Sequence, residues 1–407
     1  MKSVKLASIL FYLNSVFVVS CFVSCGSSPT EASSLLTADI RGGMDKPGLL
    51  ELGDVIKGVT FVPLEVTTDD ASLIDGVYDY AVTDRYIYVF PVKEPRIVLF
   101  DRQGRFIRTL VKEGQGTGEF SGILPCIQVD ERNDRLFLFS NNRVWEYTLE
   151  GEFIGQSTHE YSVIYMRHIG KDRFAAISFP FQPFNGGGFG LGLFSRKGDT
   201  IAIKNDFYSF LLPHEKSGFT TSIASAYSDA QNSVLFKTGS NDTVFCISAD
   251  RISAACVLDL KNSDAEVIRS LDVTDMSNLR IEKKDPKDIF VQDMIEFPAH
   301  YYFRLLYNQG YYIASVDKKT GKTLVEKCEM PGSIYELADA NLQHGMQGTR
   351  SYRNFPVWGR VIKDELVQVV TPYELNLYKS LHSITIPQEL DLKGEEGNPV
   401  FVFYSLI

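Results

Sequence analysis

Ile97-Val98-Leu99-Phe100-Asp101-Arg102-Gln103-Gly104-Arg105-Phe106-Ile107 is an apolar run, a tight polar turn holding glycine, and the start of a second run. That is the form of a β-hairpin: glycine reaches the positive φ a tight turn needs, and branched and aromatic neighbours suit a pleated surface. The unit recurs from Trp145 through Gly151 to Ile154, and again from Leu193 through Gly198 to Ile201. Gly104, Gly151 and Gly198 are each 47 residues apart. A weaker copy turns at Ala249-Asp250-Arg251, and a fifth at Lys318-Lys319-Thr320-Gly321-Lys322. A period near 47 with about four strands per unit predicts an all-β chain folded as a β-propeller. Each unit is a small twisted sheet that buries its faces only by stacking on its neighbours.

Working outward, one unit reads as strands at 76–84, 86–91, 96–102 and 104–111, and the next at 123–130, 135–140, 143–149 and 153–157. Five hairpins are visible. A sixth set is assembled from both ends: Trp358 to Lys363, Glu365 to Pro372, Pro399 to Ile407, and the early strand Val59 to Val66. The sequence therefore predicts a six-bladed propeller of four-stranded blades, closed by an N-terminal strand pairing with a C-terminal one, so that no open arc exposes its edges. The charged segment Asn262 to Lys287 reads as an insertion, and Tyr373 to Leu392 as a partly helical excursion.

The first residues read as an address. Lys2 and Lys5 precede the apolar run Leu6 to Ser20, shorter than the roughly 20 residues a membrane span needs. Two sites of small residue then cysteine follow, Ser20-Cys21 and Ser24-Cys25. Both resemble the lipobox of bacterial lipoproteins. Cys25 is the expected lipid anchor, because the polar tether Gly26-Ser27-Ser28-Pro29-Thr30 follows it; Cys21 is the alternative. The expected organisation is a lipoprotein signal peptide over 1–24, a tether and lead-in over 25–58, and the propeller over 59–407.

Gly114-Gln115-Gly116-Thr117-Gly118-Glu119-Phe120 leads into a blade start and resembles the Gly-x-Gly-x-Gly-x-Phe junction of NHL-type repeats. With Phe61 to Val66, Phe100 to Phe106 and the closing Asn398 to Tyr404, the chain resembles the six-bladed β-propeller lipoproteins of Bacteroides and relatives. That junction more often carries Pro and Tyr where this chain has Thr117 and Phe120. The resemblance implies a Gram-negative cell-envelope protein, lipid-anchored at the outer membrane; it carries over no catalytic set.

Composition narrows the partners. Formal net charge is −10, from 41 Lys plus Arg against 51 Asp plus Glu. A nucleic-acid surface needs a positive field, so no nucleic acid is expected. No CxxC pair and no His-x-His occur, and the six histidines show no metal-ligand spacing, so no metal or cofactor is assigned. Gly114 to Gly118 is not a nucleotide loop, since a strand rather than a helix follows. Gly-x-Ser-x-Gly is absent. Cys246 and Cys256 fall on neighbouring strands, where either a bridge or two separate buried thiols fits.

Two stretches look unlike repeat filler. Phe179 to Gly190 mixes aromatics, prolines and glycines, and Phe181, Gln182, Phe184 and Asn185 are candidate ligand-rim residues. His344 to Trp358 offers Arg350, Tyr352, Arg353 and Trp358. Both stretches also fit a packed loop or connector. The expected function is a non-enzymatic binding or scaffolding module for a glycan, peptide or envelope protein, joined to the membrane by its lipid. The alternative is a metal-dependent propeller enzyme of lactonase, lyase or hydrolase type, with acids such as Asp130 and Asp229 gathered at the axial channel.

Overall fold

The computed structural model describes residues 35–48, 50, 56–69, 71–121, 126–140, 142–159, 163, 165–177, 190–204, 226–230, 233–237, 242–261, 289–308, 310–328, 360–373, 375 and 397–407. The chain opens with β1 (Leu36–Ala38), the short helix α1 (Ile40–Asp45) and β2 (Ile56–Pro63). Blade 1 is β3 (Val77–Val82), β4 (Tyr86–Pro91), β5 (Arg96–Asp101) and β6 (Phe106–Lys112). Blade 2 is β7 (Cys126–Asp130), β8 (Arg135–Ser140), β9 (Arg143–Tyr147) and β10 (Phe153–Thr158). Blade 3 is β11 (Tyr165–His168), β12 (Arg173–Ile177), β13 (Leu191–Ser195) and β14 (Thr200–Lys204). Blade 4 is β15 (Ala226–Ala230), β16 (Ser233–Lys237), β17 (Thr243–Ser248) and β18 (Ile252–Leu258). Blade 5 is β19 (Phe290–Glu296), β20 (His300–Tyr307), β21 (Gly310–Asp317) and β22 (Thr323–Cys328). Blade 6 is β23 (Arg360–Ile362), β24 (Glu365–Val370), β25 (Val400–Leu406) and, as its outermost strand, β2.

The architecture is thus the six-bladed propeller that the repeat predicts. The closure is present as expected: β2 runs antiparallel to β25, with Val59 opposite Tyr404 and Val62 opposite Phe401. Second and third strands are buried on both sides. β4 reads Tyr-Ile-Tyr-Val-Phe-Pro and β5 reads Arg-Ile-Val-Leu-Phe-Asp, near-continuous apolar runs, because a blade packs on each face. Fourth strands face solvent and carry more polar residues, as in β6 and β10.

The core lies in the seams between blades. Val62 and Leu64 of the early segment pack with Ile87, Val98 and Phe100 of blade 1 and Phe401 and Phe403 of blade 6. Each such side chain contributes about 1.5–3 kcal/mol by leaving water. The turn glycine recurs in the seams too. Gly104 sits at φ +81°, and a Cβ on it would lie 2.1 Å from the Pro63 carbonyl oxygen of β2. Only glycine permits both that φ and that approach. Gly151 and Gly198 hold the same place, against Leu110 and against Thr158 and His159 of the preceding blades.

The stretch read as lead-in supplies structure of its own. β1 adds a fifth strand to blade 4, parallel to β18, with Leu36 opposite Cys256 and Ala38 opposite Leu258. Ala38, Ile40 and Met44 enter the cluster formed by Leu258, Phe303 and Val325 between blades 4 and 5. Asp39 caps α1 by accepting the Gly42 N–H at 2.8 Å. Gly48 then donates to the Val325 carbonyl at 2.8 Å, and the Leu50 N–H donates to the buried Glu326 carboxylate at 2.9 Å. Residues 36–48, 50 and 56–63 therefore pack on blades 4, 5 and 6 in succession.

Cys246 and Cys256 are free thiols. Cys246 lies opposite Ser253 and Cys256 opposite Val244, so the register does not pair the two. Burial pushes the Cys256 thiol up to about 12, which keeps it protonated and inert.

Candidate functional site

First strands surround the propeller axis, and their C-terminal ends reach one face. There β3, β7, β11 and β23, with the turns that follow them, enclose an open cavity of about 620 Å³. Its wall is built from charges that already hold one another.

Asp79, which lies behind the wall and pairs with the lining residue Arg360, is the centre of the first group. It interrupts the apolar strand Val77-Tyr78-Asp79-Tyr80-Ala81-Val82 and is 4% exposed. A carboxylate so buried must be paired. It accepts the Ile127 N–H of blade 2 at 2.7 Å and forms an ion pair with Arg360 of blade 6. Arg360 also donates to the Tyr80 carbonyl at 3.0 Å and lies 4.9 Å over the Tyr80 ring. Three blades thus meet on one acid.

The second group crosses from blade 2 to blade 3. The Gln128 amide donates to the His168 carbonyl at 2.6 Å and accepts its N–H at 2.5 Å, so one side chain takes the part of a missing strand partner. The His168 ring stacks on Phe137 with centroids 5.1 Å apart and brings Nδ1 to 3.4 Å from Asp130. Burial lowers the His168 pKa, and the Asp130 charge opposes that shift. Asp130 in turn accepts from the Asn133 side chain at 2.7 Å and caps the short turn Glu131–Asn133.

The third group sits at the rim. Lys363 lies in the turn between β23 and β24 at φ +55°. Its Nζ is 2.5 Å from Asp84 and 2.7 Å from Glu131, and the Asp84 N–H donates to Glu131 at 3.1 Å. Burial works against the ammonium, but the two carboxylates outweigh it and its pKa is raised. Lys171, also on the rim, pairs with Asp250 of blade 4 at 3.0 Å. Arg132 and Asp364 are exposed on the lining without a side-chain partner among the described residues.

The wall therefore carries both signs in near balance and directs hydrogen-bonding groups inward. Among the described residues no cluster of three His, Cys, Asp or Glu is placed to hold a metal ion. No described helix is long and apolar enough to cross a membrane.

Of the residues singled out in the sequence, Asp130 lines this cavity and Asp229 lies on β15, the first strand of blade 4. Phe181, Gln182, Phe184, Asn185, Arg350, Tyr352, Arg353 and Trp358 lie outside the described residues, as do Cys21 and Cys25. Asp79, His168, Arg360 and Lys363 were not singled out. Asp79 carries a readable signal, an acid inside an apolar strand; Lys363 sits in an ordinary polar turn and carries none.

The family described as "Domain of unknown function (DUF4934)" matches residues 35–405. The chain is similar to the crystal structure of a Bacteroides fragilis protein described as exported, at 14% identity and a TM-score of 0.61, covering 91% of this chain and 99% of that one. The WD40 β-propeller domain of Doa1 matches at 13% identity and a TM-score of 0.31, covering 67% and 71%. The WD40 domain of Pan2 from Neurospora crassa matches at 11% identity and a TM-score of 0.32, covering 69% and 87%. None of the curated proteins matches the chain.

Proposed function

We propose that this chain, which belongs to the DUF4934 family, is a non-enzymatic binding module of the cell envelope that receives a polar glycan, peptide or protein segment at its axial mouth. One observation carries the reading: the mouth is walled by charges from several blades that are paired before any ligand arrives. A ligand entering such a wall does not have to immobilise long side chains, and that cost often cancels the gain from polar contacts. Balanced charge favours a neutral or zwitterionic polar ligand over a polyanion. Arg132 and Asp364 are the groups that face it.

Export follows from the basic and apolar start of the chain and is supported by the exported description of the B. fragilis protein of the same fold. Cys25 is the residue through which a lipid would tie it to the outer membrane, with Cys21 as the alternative. Replacing both with Ser is expected to move the full chain from the detergent phase to the aqueous phase in a phase-partition assay; unchanged partitioning would refute the anchor.

Binding is tested by screening the detergent-solubilised full chain on glycan and peptide arrays. Arg132→Ala combined with Asp364→Ala is expected to weaken any ligand found by about tenfold or more, since two polar contacts are lost. A ligand indifferent to both changes would place recognition elsewhere. The enzymatic alternative draws on one feature, Asp130 and His168 meeting at the cavity wall. Its test is calorimetric titration with Ca²⁺: a binding heat lost in Asp130→Asn would favour it over the binding module.

A further inference from the structure

Fourth strands are the exposed edges of this ring, and natural sheets guard such edges with charge. β2 carries Lys57, β6 carries Arg108 and Lys112, β14 carries Lys204, and β22 carries Lys327. Two fourth strands carry none: β18, Ile-Ser-Ala-Ala-Cys-Val-Leu, and β10, Phe-Ile-Gly-Gln-Ser-Thr. The first is not a free edge, because β1 pairs along it. The second has no strand beyond it among the described residues.

β10 also borders a groove. Ile154 to Ser157 form one wall of a recess of about 570 Å³ between blades 2 and 3, with Phe137, Val144 and Phe174 beneath. Ile154 is 41% exposed and Phe153 38%. The far wall is the turn Ser195 to Asp199 of blade 3. Charges around the recess balance: Glu146, Asp172 and Asp199 against Arg173, Arg196 and Lys197. Arg196 is committed to Glu146, with Nε 3.1 Å from Oε2.

From the shared lack of edge charge and the groove beside it, we propose that β10 is a strand-addition site, taking an extended, uncharged polypeptide segment of a partner protein into the seam between blades 2 and 3. The occupant's chemistry is read from the ring itself. β1, the segment that occupies the other uncharged edge, is Leu-Thr-Ala, small and branched without charge. It lies between β18 and the glycine turn of blade 5, where a Cβ on Gly321 would meet the Thr37 carbonyl at 3.1 Å. A seam of this propeller therefore already accommodates an interposed extended chain. Backbone hydrogen bonds supply most of the affinity in such additions, and alternate side chains supply the selectivity. A branched side chain in the recess covers Ile154, and the balanced rim gives a charged segment no advantage. This site is separate from the axial mouth and does not depend on it.

The test is a phage-displayed octapeptide library panned on the full chain. Enriched peptides are expected to be uncharged and rich in β-branched residues. As synthetic peptides they should bind at least about tenfold more weakly to Ile154→Lys, because a charge then guards the edge. Ile107→Lys, one repeat earlier on the charged strand β6, should leave binding unchanged. Gln156→Lys reads the same edge should Ile154→Lys fail to fold. Peptides that bind all variants equally, or whose binding is lost only in Arg132→Ala, would overturn the proposal. So would a dimer of the wild-type chain that Ile154→Lys converts to monomer, since a second copy would then be the occupant.

Discussion

The seam between blades 6 and 1 and the seam between blades 4 and 5 use the same device on different material. In the first, the Gly104 turn rests on β2, a strand of eight residues paired along its length with β25. In the second, the Gly321 turn rests on β1, a strand of three residues laid outside the regular four. The glycine follows whichever strand is outermost. The lesson is that the blade-to-blade joint is a backbone contact and that the segment before the first blade is a working part of it. At the second joint the closing strand is replaced by an accessory, and it can be removed without opening the ring.

Truncation breaks the comparison most severely. A chain beginning after Val66 leaves β25 as an unpaired edge and strips Val62 and Leu64 from their cluster. We expect a loss of several kcal/mol, the scale of a cooperative unit, seen as a lower and broader thermal transition. A chain beginning at Lys46 loses only β1 and α1. It should remain cooperative, with faster amide exchange confined to blades 4 and 5. Equal melting temperatures for the two truncations would erase the distinction.

Substitution of the glycines sharpens it. Gly104→Ala meets a backbone oxygen at 2.1 Å on a strand paired along its length with β25, and should cost about 2–3 kcal/mol. Gly321→Ala meets one at 3.1 Å on a three-residue strand that can give way, and should cost about 1 kcal/mol. Chemical denaturation of the two variants decides the order.

The smallest effect concerns the ends of two fourth strands. The Leu258 N–H donates to the Asp242 carbonyl, and the His159 N–H donates to the Asn142 carbonyl, in the same position of blades 4 and 2. Leu258 is buried among apolar groups. His159 is 4% exposed, and neither ring nitrogen has a hydrogen-bond partner among the described residues. Burial lowers its pKa. A histidine whose folded pKa lies below its unfolded one takes up a proton more readily on unfolding, so stability is complete above the ordinary value near 6.5 and falls as pH drops through it. His168 acts in the same direction, tempered by Asp130. His159→Leu should raise stability by about 1 kcal/mol, by removing an unsatisfied buried group, and flatten the decline between pH 7 and pH 5. A melting profile with unchanged slope would show that another group governs the acid response.

The ring is legible in the sequence because its joints repeat as chemistry. Gly104, Gly151 and Gly198 mark one turn at one spacing, and the terminal runs Val59 to Val66 and Pro399 to Ile407 are apolar enough to demand a partner. β1 is not legible: Leu36-Thr37-Ala38 is too short to carry a period, and it is a strand only because β18 offers an unguarded edge. The turn at Ala249 to Arg251 lacks a glycine, so the blade that receives β1 is also the one whose repeat is faintest. The axial mouth is legible only at Asp79 and Asp130. Gln128, His168 and Arg360 sit on strands and Lys363 in a turn, and they converge because the ring brings blades 6, 1, 2 and 3 together over distances that no local pattern spans.

The pairing of β2 with β25 has a consequence for synthesis. A ribosome makes the outer strand of blade 6 long before its neighbour, Val400–Leu406. Until β25 emerges, Val62 and Leu64 have blade 1 but not Phe401 and Phe403 to pack against, so the nascent chain leaves part of that apolar surface open to premature association. Synthesis of β25 is thereby written into the fold as a condition for stability, and a chain that stops short of it is left open for proteolysis.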